Sequence, residues 1–579
     1  MNNTLIKIIS LILALGLAVC SLGACSKKPE EEAVSSETSS NTESSVSSKE
    51  ETVESEEPTE DENWDDGSDD FYDDLDEEIA DEDEEYSDLV TANLNIYNKT
   101  PVQKDFMGFG GVYHAYPYRT DMYGRQYDER MAATEIERAI NSGITMARTY
   151  YEIPNAWDEK TKTWDWESDE MQALYRFCLE LKKGDVEVLV NHWYCSEFLF
   201  VTYPWGDPKP EGQTNKGHEA IAVAGDQQKT IENFAVFMSE TVKQLKAHGC
   251  TNAMNISIAT EPYAYWLEEW ADVISRDELV GKAAKDMAVS INAVSEQLKK
   301  DGLRKEVTIM GPNFAGDGEP AAHYYGHFKK YINKDACDLI SLHQYYGREL
   351  IDDNYDLWKS CAEEYKKEVD SFENFVWDEY NTSPESSKRI ESNHNPYNGI
   401  QLTLAQICFM NYGMKGSFIW TLFDQQWPNN SSTNLDAFKD GIHMFGTAPS
   451  LLLSSKVFGS YYSFSLVANA LGDKGSKIYR GDDDTYEGVY AAMSESPDGE
   501  ISIVVASTNI DDTALTLNFE KSLQGKTLYR HVYTPYDIVC TTEGELINPD
   551  LKLTNTKTVL NDVVKPYSVV VYTTKKLVK

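Results

Sequence analysis

Between Phe106 and Leu422, short apolar runs alternate with amphipathic stretches, and this rhythm constrains the fold more than any other feature of the chain. The runs are Phe106–Gly111, Ile144–Tyr150, Val186–His192, Met254–Thr260, Val307–Gly311, Leu339–Tyr345, Phe375–Glu379 and Ser417–Leu422. Their lengths and apolar content predict strands buried on both faces. Helices are predicted between them at Glu129–Asn141, Glu170–Lys183, Thr230–His248, Leu279–Lys300, Asp352–Ser371 and Gly399–Tyr412. In the second of these, Met171, Leu174, Tyr175, Cys178 and Leu181 share one face, the stripe of a helix packed on a sheet. Eight strands alternating with helices predict an α/β fold, a (β/α)8 TIM barrel rather than a doubly wound sheet. From about Lys474 the period drops to two. Ile501–Ser507, Ala514–Phe519, Leu528–Tyr533 and Ser568–Thr573 alternate apolar and polar residues, which predicts a small C-terminal antiparallel β-sandwich. Leu89–Tyr97 is a further strand candidate that could join it.

Four segments result: a leader at 1–25, an acidic tether at 26–88, the barrel at 89–473 and the sandwich at 474–579. In the leader, Lys7 precedes an uncharged apolar stretch, Ile8 to Val19, too short to span a bilayer comfortably. It ends in Leu22-Gly23-Ala24-Cys25, which resembles the lipobox of bacterial lipoproteins. That resemblance implies cleavage before Cys25, lipidation of its thiol with palmitate among the acyl chains, and a membrane-anchored, extracytoplasmic place in the cell envelope. The net charge of -45 is concentrated in residues 26–90, where 28 acids face 3 lysines. Such a segment has too little apolar surface to fold and is extended by its own repulsion. The remainder is also acidic, which argues against nucleic acid as a partner. The nine cysteines are scattered without a CxxC pair and do not form a disulfide framework.

Two of the predicted strands end in carboxylates: Glu261 in Ile-Ala-Thr-Glu-Pro and Glu379 in Val-Trp-Asp-Glu-Tyr-Asn. In a parallel barrel both would reach the rim where the C-terminal strand ends gather. Paired carboxyls across a cleft are suited to breaking a glycosidic bond. Asp378 is the competing acid, and strand alternation points it to the side opposite Glu379. The other strand ends supply Arg148, Asn191-His192-Trp193, His343-Gln344-Tyr345 and Trp420.

In this order the motifs resemble clan A retaining glycoside hydrolases, with family 5 (cellulases and mannanases) closest and families 30 and 39 as relatives. The likeness runs from about Asp105 to Trp427 and includes Gly108-Phe109-Gly110-Gly111 at the first strand. It implies that Arg148, His192, His343, Tyr345 and Trp420 line the substrate cleft, with Glu261 as acid/base and Glu379 as nucleophile. Where that family usually has Asn before the acid/base, this chain has Thr260, which changes the group offered to the sugar 2-hydroxyl. The expected reaction is hydrolysis of β-glycosidic bonds in polysaccharides or oligosaccharides by a monomer without cofactor or metal. The alternatives are a catalytically weak carbohydrate-binding lipoprotein and a transglycosidase. Trp193, Trp205, Trp266, Trp270 and Trp427 follow strand ends and could extend the cleft. Other chemistries fit less well. His323-x-x-x-His327 has the spacing of two zinc ligands on a helix, without an evident third. His218-Glu219 begins a zinc-protease motif that Ala222 ends, and no G-x-S-x-G elbow occurs.

Overall fold

The computed structural model describes residues 89–577, apart from 114–116, 119–128, 193–219, 224–225, 262–274, 316–320, 347–353, 370, 383–394, 427–441, 444–446, 448–456, 483–487, 536–545, 547 and 555. The predicted leader with Cys25, the acidic tether and the five loop tryptophans lie outside the described residues.

Eight parallel strands close into a barrel. They are β1 (Phe109–Tyr113), β2 (Met146–Tyr151), β3 (Glu187–His192), β4 (Asn255–Ser257), β5 (Thr308–Ala315), β6 (Leu339–Tyr346), β7 (Phe375–Thr382) and β8 (Gly416–Ile419). Helices follow them in turn: α1 (Glu129–Asn141), α2 (Asp169–Lys182), α3 (Gln227–Ala247), α4 (Arg276–Lys300), α5 (Ala321–Phe328), α6 (Asn354–Lys366), α7 (Asn398–Asn411) and α8 (Gly459–Leu471). The fold is thus a (β/α)8 TIM barrel. Helix starts carry polar caps where the chain turns off the sheet. Ser168 accepts from the Met171 amide, Asp226 from Lys229 and Ser275 from Glu278.

Strand alternation sorts the side chains into two layers. Val112, Met146, Leu189, Met310, Leu339, Val376 and Phe418 point inward and fill the barrel's lower part. The intervening residues face the helices and join a larger core. The ring closes between β1 and β8, where Gly110 pairs with Phe418. A Cβ on Gly110 would stand 2.3 Å from the Phe418 ring, so glycine lets that ring plug the interior. A buried Phe in such a place contributes about 3–5 kcal/mol relative to Ala.

The β-sandwich draws on both ends of the described chain. A seven-stranded sheet runs in the order Gln103–Phe106, Ser476–Arg480, Val489–Glu495, Ile501–Ser507, Ser568–Thr573, Leu528–Tyr533, Leu551–Leu553. It covers a three-stranded sheet in which Val90–Ile96 and Val559–Val564 flank Thr513–Phe519. The strands at 90–96 and 103–106 therefore belong to the sandwich, and the barrel begins at Phe109 rather than at residue 89. Alternation explains how the larger sheet serves two neighbours. Val489, Ala491 and Met493 enter the sandwich core, while Tyr490 and Ala492 pack with the barrel's helical layer. Ile501–Ser507 is buried along its whole length for the same reason.

Candidate active site

The upper interior of the barrel is polar, and Arg148 stands at its centre. Met146, Arg148 and Tyr150 occupy alternate positions of β2, so all three share the inward face. Arg148 Nη1 donates to Glu379 Oε1 at 2.8 Å and to the Asp378 carbonyl at 2.9 Å, which uses both of its hydrogens. Nη2 reaches Asn191 Oδ1 and Thr260 Oγ1, each at 3.2 Å. Tyr150 donates to Glu379 Oε1 at 2.8 Å and Tyr345 to Glu379 Oε2 at 2.7 Å. Glu379 thus receives three hydrogen bonds over its two oxygens, from β2 and β6.

His343 stands between the acids. Its Nδ1 lies 3.1 Å from Glu261 Oε1 and 3.2 Å from Glu379 Oε2. Its Nε2 lies 3.4 Å from Asp378 Oδ1, the acceptor within reach once both Nη1 hydrogens of Arg148 are engaged. Burial pulls the imidazolium down, but the carboxylates of Glu379 and Asp378 outweigh it and push His343 up to about 10. Glu379 moves upward from the ordinary carboxylate range. Burial is the main cause, and His343 and Arg148 pull against it. Burial also carries the hydroxyls of Tyr150 and Tyr345 well above their usual range, so both remain donors.

Glu261 follows β4 in a left-handed backbone conformation, φ 44°, with its amide bonded to the Asn313 carbonyl at 3.1 Å. One carboxyl oxygen of Glu261, one of Glu379 and a ring nitrogen of His343 all lie within 4.8 Å of one another. These three could in principle ligate a cation, but Arg148 already places a positive charge 2.8 Å from Glu379. Trp420 flanks the site, its ring edge-on to Tyr150 at 6.1 Å between centroids, and the Trp420–Thr421 peptide is cis.

Two sequence expectations need correction. His192 does not line the cleft. On β3 Leu189 and Asn191 point inward, so His192 faces out, edge-on against Tyr151, Phe234 and Phe237 at 5.3–5.9 Å. Burial there lowers its pKa to about 3, which keeps it neutral. Asn191 takes the inward position and donates to Thr260 Oγ1 at 2.7 Å. Asp378 does not point away from Glu379 either. The pairing of β6 with β7 skips from Trp377 to Glu379, and this bulge turns both acids inward. Asp378 is fully buried beneath Glu379, 3.2 Å from Arg148 and bonded to Asn313 Nδ2 at 2.9 Å.

Thr260 is engaged from below. Its oxygen accepts from Arg148 and Asn191, which leaves its own hydrogen to donate. Three contributors have no role assigned from the sequence: Tyr150, Asn191, which is named there only as part of a strand end, and Asn313. Parity could have found the first two, since each lies two residues beyond an inward-facing neighbour. Asn313 gave no signal, because Gly311-Pro312 marked an early strand end. It sits at a bulge with φ 59° and joins Asn191, Ser257, Ser341 and Asp378 through its side-chain amide. A cavity of about 980 Å³ opens at the other end of the barrel, beside Met107, Met146, Glu187, Met254 and Leu339. It lies at the N-terminal strand ends, where residues serve stability, and it shares no residue with this cluster.

No family model and no curated protein matches the chain. Solved structures do share its fold. The catalytic domain of GH30 xylanase C from Talaromyces cellulolyticus superposes with a TM-score of 0.53 at 12% identity, covering 83% of this chain and 99% of that one. An endo-β1,6-glucanase gives 0.52 at 13% identity, covering 84% and 95%. A glucosidase from Croceicoccus marinus gives 0.51 at 10% identity, covering 84% and 98%.

Proposed function

We propose that the chain is a retaining glycoside hydrolase acting on β-linked polysaccharides or oligosaccharides, held at the cell envelope by lipid on Cys25. The observation that carries this reading is the approach of Glu261 to Glu379, one oxygen of each within 4.8 Å. That closeness is in keeping with the ~5–5.5 Å carboxyl separation of retaining enzymes. The likeness in fold to a GH30 xylanase is in keeping with it.

In this mechanism Glu379 attacks the anomeric carbon while Glu261 protonates the departing oxygen. The covalent glycosyl-enzyme is then hydrolysed by a water that Glu261, now ionised, deprotonates. Arg148, Tyr150 and Tyr345 fix the direction of Glu379 and stabilise its charge. The positive charge of His343 faces both glutamates and assists whichever carries the negative charge at each step. Trp420 offers an apolar wall to the sugar ring, and the free hydrogen of Thr260 a donor beside it.

The test is Glu379→Gln, assayed on aryl β-glycosides together with β-glucan, mannan and xylan. The exchange keeps shape and removes the nucleophile, so turnover should fall by at least ~10³-fold with an unchanged circular dichroism spectrum. Retained turnover in a folded variant overturns the assignment.

A further inference from the structure

We propose that Asp277, His323 and His327 form a binding site for a divalent transition-metal ion of the zinc class, which ties the start of α4 to α5 on the outside of the barrel. The site is separate from the glutamate cluster and does not depend on the proposed hydrolase activity.

The two histidines are four residues apart on α5, so their rings project from one face and stand 5.1 Å apart. The third donor, missing from the local sequence, comes from the first turn of α4. His323 Nε2 lies 2.7 Å and His327 Nε2 3.4 Å from the same oxygen, Asp277 Oδ1. All three donor atoms fall within 4.8 Å of one another. Two ligands of a tetrahedral zinc, with bonds of ~2.0–2.1 Å, are themselves about 3.3 Å apart. Small side-chain rotations therefore admit the ion. Two imidazoles and one carboxylate, with a fourth position open to water, match the donor set zinc prefers, and magnesium or calcium would call for more oxygen.

The neighbouring backbone makes room for this arrangement. Gly281 lies one turn beyond Asp277 on α4, and a Cβ there would stand 3.1 Å from His327 Nδ1. Glycine at that point lets the His327 ring lie directly against α4. Asp277 and His323 are exposed, so a hydrated ion has access without any rearrangement of the core. The clip fixes the helix that begins fifteen residues after Glu261.

The test is calorimetric titration of Zn²⁺ alone into the full chain after chelator treatment. One site per chain is expected, with a rise in melting temperature on adding the metal. His323→Ala, His327→Ala and Asp277→Asn should each weaken binding by at least ~10-fold, since even partners of ligands cost that much. Cobalt(II) in place of zinc should give the intense visible absorption of a tetrahedral site, lost in the same variants. Failure of the parent chain to bind saturably at millimolar zinc overturns the proposal, as does unchanged affinity in the variants. Because His323 is a surface residue, its alanine variant decides the matter even if another variant misfolds.

Discussion

Replacing Asp378 by Asn tests the electrostatic account of the site without touching either glutamate. The amide oxygen can stand where Oδ2 now accepts from Asn313 at 2.9 Å and faces Arg148 at 3.2 Å, so those contacts survive. What changes is the charge 3.4 Å from His343 Nε2. At an effective dielectric constant of ~20 that charge is worth about 5 kcal/mol, or ~3–4 pKa units. His343, at about 10 in the parent chain, should then titrate at ~6–7. Nitrogen NMR of the imidazoles, with His343 assigned through His343→Gln, should find it doubly protonated at pH 8 in the parent and singly protonated in Asp378→Asn. The linkage to stability has a definite sign. A histidine raised from 6.5 to about 10 stabilises the fold fully below pH 6.5, and that contribution is lost as pH rises through 10. In Asp378→Asn this alkaline decline should flatten. A neutral His343 at pH 8 in the parent, or the same titration in both proteins, would refute the reasoning.

Three further outcomes follow from the same geometry. Tyr345→Phe removes the 2.7 Å donor to Glu379 and should lower kcat/KM by ~10–100-fold with little change in melting temperature, checked on aryl glycosides. His192→Phe should leave kcat/KM within about twofold and preserve the fold, because the ring it replaces packs among Tyr151, Phe234 and Phe237; a severe loss of activity would restore His192 to the cleft. Since burial raises Glu379, the acidic limb of the kcat/KM profile should lie above pH 4.5, with activity lost as Glu379 is protonated below it.

The barrel was readable because each strand is a short apolar run and each helix carries its stripe, signals that depend on the neighbouring residues alone. The positions of Arg148, Glu261, His343, Tyr345, Glu379 and Trp420 were readable as strand ends. What each side chain faces was harder to read. Strict alternation would have turned His192 outward and Asn191 inward, but the motif order outweighed parity. At Asp378 parity itself misled, because it separates adjacent residues and a bulge does not. Bulges arise from pairing with the neighbouring strand, and the same cause hid Asn313. The third member of the histidine cluster was hidden for a related reason. Asp277 and His323 are 46 residues apart and meet only when α4 and α5 pack side by side.

The strand Val90–Ile96 pairs with Thr513–Phe519, a partner more than 400 residues later in the chain. At synthesis rates of ~5–20 residues per second it waits roughly 20–80 s for that partner to be made. Every barrel strand has been synthesised before then, so the order of manufacture sets an order of assembly. The barrel can close first, and the sandwich is completed last, around a strand that was among the earliest to emerge. During the wait the strand keeps an open edge, and its alternating Thr91, Asn93 and Asn95 give it one polar face that discourages pairing with a stray chain.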